Sequence, residues 1–217
     1  MKGLKDFIIK LDKPLNDTFK TEGGAELYAH QDFSVDRLSN RIAKVVAVPM
    51  FEDTPVKVGY EVMFEPTILY KQSYQGIKQG YTSLIDKDDN LFKITPNMII
   101  LYRKDKNDEW KGHLQNLMVE QIKEKEPIVE TSFIIPDTVS VKFKKGYAKV
   151  LYPNEWLESR KVKQGDILLT DPKGGVDFWI EGKHYWWIRS IDVLGSVKTA
   201  NNPKLGDVTL FEAVRYM

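Results

Sequence analysis

The sequence predicts an all-β protein built from two tandem small β-barrels, and three observations predict it. The first is repetition. Ala43-Lys44-Val45-Val46-Ala47-Val48-Pro49 is echoed by Ala148-Lys149-Val150-Leu151-Tyr152-Pro153, 105 residues on. Val56-Lys57-Val58-Gly59-Tyr60-Glu61-Val62-Met63-Phe64 is echoed by Val162-Lys163-Gln164-Gly165-Asp166-Ile167-Leu168-Leu169, 106 residues on. Phe92-Lys93-Ile94-Thr95-Pro96-Asn97-Met98-Ile99-Ile100 is answered by Trp186-Trp187-Ile188-Arg189-Ser190-Ile191-Asp192-Val193-Leu194. An internal repeat sets the fold unit before any other reading. The second observation is short apolar runs broken by Gly and Pro, which is strand punctuation. The third is that no segment keeps a helical period beyond a turn or two.

Length and composition agree. A chain of 217 residues divides into two units of about 100 residues, each able to bury a small core. Hydrophobic residues make up 42% and charged residues 29%, within the globular range. Thirty-two basic and 31 acidic side chains leave a formal charge of +1, which gives no long-range pull on nucleic acid or anionic lipid. There is no cysteine. That excludes a disulfide framework, thiol catalysis and cysteine-ligated zinc, and it fits a cytoplasmic location. The stretch Met1-Lys2-Gly3-Leu4-Lys5-Asp6 has no apolar core of signal-peptide length. Nothing approaches the roughly 20 apolar residues of a membrane span.

Each element follows in order. Phe7-Ile8-Ile9-Lys10-Leu11 reads as a short strand stopped by Pro14. Residues 12–41 are mostly polar around Gly23-Gly24 and read as a long mobile loop. Residues 42–48 form a buried strand, and residues 60–64 another after a turn at Gly59. Residues 66–83 are an excursion rich in Tyr, Gln and Gly, whose tyrosines anchor a surface loop. Residues 91–94 and 98–102 read as a closing hairpin across Thr95-Pro96-Asn97. Residues 104–113 are charged and polar and form the linker. Leu117-Met118-Val119 then stands where Phe7-Ile8-Ile9 stood. A loop over residues 123–145 precedes strands at 148–152 and 166–170, with a tight turn at Asp171-Pro172-Lys173-Gly174-Gly175. Phe178-Trp179-Ile180 and Tyr185-Trp186-Trp187-Ile188 form a hairpin about Glu181-Gly182-Lys183-His184. Residues 199–217 lie outside the repeat, with one further strand at 208–211. The domains are thus 1–105 and 111–198, followed by a C-terminal extension.

This order of features resembles the GroES, or 10-kilodalton chaperonin, family. A short strand leads to a glycine-bearing loop, a Val-rich strand, a Lys-Val-Gly phrase and an Ile/Leu-rich close. The carriers are Phe7-Ile8-Ile9-Lys10, Thr21-Glu22-Gly23-Gly24-Ala25-Glu26-Leu27, and residues 43–48, 57–64 and 91–101. The second half repeats them at residues 117–120, 148–152, 163–169 and 185–194. The paired form is similar to the double-domain co-chaperonin of plastids.

The resemblance implies a lid. Such domains form a homo-oligomeric ring that caps a GroEL-type chaperonin, with ATP bound by the partner and no cofactor of their own. They make contact through the tip of the mobile loop, hinged at Gly23 and Gly24. Ordering that loop costs entropy that the apolar contacts must offset. The second loop carries the better tip, Phe133, Ile134 and Ile135 in a charged stretch, although the run also reads as a short core strand. In the first loop the tip position holds Ala25, Glu26 and Leu27, with Tyr28 beside them. A glutamate there is costly to bury. The interval before the Lys-Val-Gly phrase, which forms the family's roof hairpin, is trimmed to Pro49-Met50-Phe51-Glu52-Asp53-Thr54-Pro55 and to residues 154–161. Virus-encoded co-chaperonins are similar in this trimming, which implies a phage origin and action in the host cytoplasm.

Other chemistry finds little support. His30, His113 and His184 are the only histidines, and their scatter lacks metal-ligand spacing. Asp86-Lys87-Asp88-Asp89-Asn90 lacks the glycine and final glutamate of a calcium loop and reads as a solvated turn. Gly174-Gly175 has no following helix and no Lys-Ser/Thr, so it is no phosphate loop. No serine-hydrolase elbow is present. The barrel of zinc alcohol dehydrogenases is related, but the ligands and nucleotide domain of those enzymes are missing, so the protein reads as a non-enzyme. Two alternatives remain. One is a structural or assembly module, such as a virion component. The other is a nucleic-acid barrel using Phe178, Trp179, Tyr185, Trp186 and Trp187 to stack bases. Interleaved Asp171, Asp177 and Glu181 speak against the second.

Overall fold

The computed structural model describes residues 5–21, 24–28, 38–74, 77–81, 83–123, 143–180, 183–197 and 208–210. The fold class is all-β, as the sequence predicts. In chain order the first strands are β1 (Phe7–Lys10), β2 (Thr18–Lys20), β3 (Glu26–Tyr28), β4 (Ile42–Ala47) and β5 (Glu61–Phe64). Next come β6 (Lys71–Tyr74), β7 (Ile77–Tyr81), β8 (Leu84–Asp86), β9 (Leu91–Ile94), β10 (Ile99–Arg103) and β11 (Lys111–Gly112). Then come β12 (Asn116–Lys123), β13 (Phe143–Tyr152), the one-turn helix α1 (Glu155–Ser159) and β14 (Ile167–Thr170). The last are β15 (Val176–Ile180), β16 (Lys183–Arg189), β17 (Val193–Val197) and β18 (Val208–Leu210).

Two seven-stranded antiparallel sheets result, in the orders β11-β10-β5-β4-β1-β9-β8 and β15-β16-β12-β13-β14-β17-β18. Written from its other edge, the second order matches the first strand for strand. The registers match as well. Ile9 faces Val45 and Lys10 faces Lys44, after an irregularity between Ile8 and Ile9. Val119 faces Val150 and Glu120 faces Lys149, after an irregularity between Met118 and Val119. Gly59 and Gly165 both sit at φ +90°, where a Cβ is strained. The Gly59 N–H donates to the Val45 carbonyl and the Gly165 N–H to the Val150 carbonyl, each at 2.8 Å.

Alternating strands fill each core. β4 turns Ala43, Val45 and Ala47 inward and Lys44 outward, as a half-buried strand requires. Phe7, Ile9, Val45, Val62, Phe64, Phe92 and Ile94 form the first core. Leu117, Val119, Ala148, Val150, Leu168 and Ile188 form the second. A third cluster joins Met63, Ile100 and Leu101 of the first sheet to Met118 and Phe178 of the second.

Several expectations need correction. Residues 91–94 and 98–102 are not a hairpin. A 3-10 turn at Pro96–Met98 carries the chain across the sheet, so that β9 pairs with β1 and β10 with β5. Proline at the start of that turn lacks an N–H to pair and fixes φ for the diversion. The stretch 12–41 is not strandless, because β2 and β3 pair within it. The excursion 66–83 also holds a paired hairpin, β6 with β7. β12 and β13 extend to Lys123 and Phe143, which narrows the second excursion to residues 124–142. Finally, the charged linker ends in a strand, because β11 pairs with β10.

Candidate partner-binding site and junction

The first excursion rises from a buried root. Leu15 and Leu38 are buried, Leu15 bridges to Ser39, and the Asn16 N–H donates to the Leu38 carbonyl at 2.7 Å. Beyond the root, β2 and β3 pair with Thr18 opposite Tyr28, Phe19 opposite Leu27 and Lys20 opposite Glu26. The turn is closed by the Thr21 N–H donating to the Ala25 carbonyl at 2.9 Å and the Gly24 N–H donating to the Thr21 carbonyl at 2.9 Å. Gly24 takes φ +80°, the left-handed conformation that favours glycine in a tight turn. The Thr18 hydroxyl donates to the Glu26 carboxylate.

Two of the apolar residues expected to bind a partner lie on this arm. Leu27 is 46% exposed and Tyr28 86% exposed, on a hairpin paired to neither large sheet. Ala25 is exposed at the turn and Glu26 is exposed on β3. Gly23 and His30 lie outside the described residues, as do Phe133, Ile134 and Ile135. Those three fall in residues 124–142, between β12 and β13, the strands equivalent to β1 and β4.

Sequence reasoning missed a second exposed apolar site. Met50 is 53% exposed and Phe51 73% exposed, in the short interval between β4 and β5. The equivalent interval between β13 and β14 is covered differently. There Asn154 caps α1, with its Oδ1 accepting from the Leu157 N–H at 3.0 Å. Leu157 is buried and Trp156 packs on the second core. The Asn154-Glu155-Trp156-Leu157 run carries the signal of a cap followed by an apolar residue, but one turn is too short for a period.

The two sheets meet at a polar seam around residues 112–116. The Asn116 side-chain amide donates to the Asn97 carbonyl at 3.2 Å and to the Ile99 carbonyl at 2.8 Å. Its oxygen accepts from the Trp187 indole at 3.1 Å. The Asn154 amide donates to the Leu114 carbonyl at 2.9 Å and to the Ser190 hydroxyl at 2.8 Å. The Gly112 N–H donates to the Pro153 carbonyl at 2.8 Å. A Cβ at Gly112 would collide with the Asn116 carbonyl oxygen and the Asn154 Cβ. His113, expected in a loop, is buried. Its ring meets Phe7 and Tyr102 edge-on, and its Nδ1 lies 3.0 Å from the Pro96 carbonyl. Burial lowers its pKa to about 4, against the opposing pull of the Pro96 and Ile99 backbone.

This seam makes a strong mutational prediction. Asn154→Ala should destabilise the protein by about 2–3 kcal/mol, from a lost helix cap and from the buried Ser190 hydroxyl and the part-buried Leu114 carbonyl left without that donor. Urea unfolding would measure it, and a loss below about 1 kcal/mol would show that the seam is structurally slack.

Beside the seam lies a cleft of about 880 Å³ lined by Glu65, Asn97, Leu114, Trp187, Arg189 and Asp192 among others. Its charges are of both signs, and it offers no converging set of catalytic groups. His184 lies 2.8 Å from an Asp177 carboxylate oxygen. Among the described residues no three His, Cys, Asp or Glu side chains gather as metal ligands. No helix among them is long and apolar enough to cross a membrane.

Comparison with known proteins gives one informative match. The chain is 31% identical over 97 residues to the Co-chaperonin GroES of Aquifex aeolicus (strain VF5). The match covers 42% of this chain and 80% of that protein. No family model matches the chain.

Proposed function

The chain belongs to the GroES co-chaperonin family, and from that premise we propose that it is a two-domain lid for a GroEL-type chaperonin ring. The observation that carries this reading is the arm at β2 and β3. It presents Leu27 and Tyr28 to solvent from a buried root. Isolated apolar side chains on a surface need no explanation, but a paired arm that holds two outward is suited to a partner. The domains are residues 1–105 and 111–198. A match filling 80% of a co-chaperonin uses 42% of this chain, which leaves length for a second unit. The chain assembles as a ring in the cytoplasm, the host's if a phage encodes it. It performs no chemistry itself, and the partner binds ATP.

Phe133, Ile134 and Ile135 are the dominant contact in this reading, and Ala25, Leu27 and Tyr28 the weaker one. Burial of one large apolar side chain is worth roughly 1.5–3 kcal/mol. The double variant Ile134→Ser/Ile135→Ser should therefore weaken chaperonin binding by at least about tenfold, amplified where several loops bind one ring. Glu26→Val should strengthen the first contact. Co-sedimentation with a bacterial-type chaperonin and nucleotide measures both, with circular dichroism to verify folding. Undiminished binding by the double variant would place the tip elsewhere. Failure of the unmodified protein to bind any chaperonin of its host would favour an assembly module built on the same barrel.

A further inference from the structure

At one edge the two sheets end in equivalent strands, β8 in the first and β15 in the second. A terminal strand leaves one side of its backbone without a ladder partner, and another chain can pair there unless the edge is guarded. β8 is guarded. It has three residues, its register against β9 is broken between Leu84 and Asp86, and it runs out into exposed Asp86-Lys87-Asp88-Asp89. Lys10 holds Asp89 in place at 2.9 Å.

β15 has none of these devices. It runs five residues, Val176–Ile180, in unbroken register with β16, and pairs with no other strand among the described residues. Its one charged residue, Asp177, lies 2.8 Å from the His184 ring. Side chains alternate along a strand, so Asp177 stands on one face and Val176 and Phe178 on the other. On that second face Phe178 is buried in the cluster shared by both sheets. Val176 lies beyond this cover, 54% exposed and opposite Trp187 in register.

The same end of β15 forms one bank of the cleft beside the seam, where Val176, Trp187 and Leu114 are all part of the lining. The Trp187 indole N–H is taken by Asn116, which leaves the ring for apolar contact. Leu114 is 53% exposed at φ +51°, a conformation costly for leucine. Its carbonyl accepts from the Asn154 amide, so the seam itself holds an aliphatic side chain out in water. Glu65 and Asp192 on the lining are balanced by Lys173 and Arg189, and the cleft favours no ligand of strong net charge.

We infer that β15 and this cleft form a docking site for an extended apolar segment of another polypeptide, which adds to the open edge of β15 and turns alternate side chains onto Val176, Leu114 and Trp187. Backbone hydrogen bonds along the edge supply affinity, and the apolar contacts supply selection. A small apolar ligand would fill the cleft but leave the strand edge unpaired. A second folded copy would have to bring a whole barrel past Glu65 and Asn97, which line the cleft beside Val176. An extended chain meets neither obstacle.

The probe is a labelled synthetic peptide in which valine alternates with threonine, with a lysine at each end, titrated with the full-length protein and read by fluorescence anisotropy. It should bind saturably. N-methylation along the peptide removes its backbone donors and should weaken binding at least about tenfold. Val176→Lys gives β15 a guard of the kind β8 has and should cost as much. Leu114→Gly should weaken binding at least about threefold yet leave the protein as stable or more so in urea, because glycine takes a positive φ without strain. Equal affinity for the plain and N-methylated peptides would overturn pairing with the edge. Unchanged binding by Val176→Lys, with native circular dichroism, would overturn the location. Lost stability in Leu114→Gly without weakened binding would reduce Leu114 to a structural part. No saturable binding at about 1 mM peptide would overturn the site. Sedimentation of the protein alone reads the rival occupant: self-association that Val176→Lys abolishes would give the edge to a second copy. No chaperonin enters any of these measurements, so their failure is distinct from failure of the lid reading.

Discussion

Phe178→Ala should lower the stability of the protein by about 3–5 kcal/mol, the range for removing a buried aromatic. It should also separate unfolding into two transitions. Phe178 is 1% exposed and packs with Met63, Ile100, Leu101 and Met118 in the cluster shared by both sheets. The Arg41 guanidinium lies 4.0 Å from the centre of its ring, a cation–π contact that the truncation also removes. The individual cores do not include Phe178, so each should persist while their coupling weakens. Urea unfolding followed by tryptophan fluorescence and by far-ultraviolet circular dichroism would report this. Tryptophan is concentrated in the second half, at Trp156, Trp179, Trp186 and Trp187, with Trp110 in the linker. Coincident transitions with the full loss would mean that the halves unfold as one unit whatever the state of the shared cluster.

Acid should weaken the same junction through His113. Its folded pKa is about 4 against an ordinary value of 6.5. Above pH 6.5 the ring is neutral in both folded and unfolded chains, and the stability it permits is fully present. Between pH 6.5 and 4 the unfolded chain takes up a proton that the folded chain refuses. Stability then falls by up to about 1.4 kcal/mol per pH unit. Below pH 4 both states are protonated and the loss, about 3 kcal/mol in all, is complete. His113→Gln starts less stable, having lost the ring's packing, but should lack this slope. Unfolding free energies at pH 7.5, 5.5 and 4.5 for both proteins isolate the histidine from the carboxylates. Parallel pH profiles would show that the ring is hydrated in the folded state.

Much of the fold was legible in the sequence, because strand periodicity is local. Val45 and Val150 alternate with lysines in the pattern of half-buried strands, and Gly59 and Gly165 mark the same tight turn. What escaped was pairing, which depends on distant partners. Leu91-Phe92-Lys93-Ile94 and Ile99-Ile100-Leu101-Tyr102 lie close in sequence and read as a hairpin, yet Pro96 sends them to opposite sides of β1, β4 and β5. His113 escaped for a related reason. Its neighbours are charged or polar, and only the docking of Phe7 and Tyr102 makes its surroundings dry. At the candidate site, Leu27 and Tyr28 could be named because the family resemblance puts the loop tip at Ala25-Glu26-Leu27, with Tyr28 beside it. The exposure of Met50 and Phe51 could not, since the equivalent interval is filled by α1.

The two-residue strand β11 bears on how many separate bodies an assembly of this protein must capture. It belongs to the first sheet by hydrogen bonding and to the second by chain continuity, and Gly112, Asn116 and Asn154 fix the passage between them. If the chain closes into the ring proposed above, every second unit-to-unit step is already made within a polypeptide, before any collision occurs. Each independent body that joins gives up translational and rotational freedom worth several kcal/mol. A ring of paired units gives up half as much as a ring of single ones of the same circumference. The angle of each internal step is set during folding and cannot be adjusted at closure. Curvature in such a ring would therefore be inherited from the seam, and a substitution there would be read out as a change in the number of chains that close it.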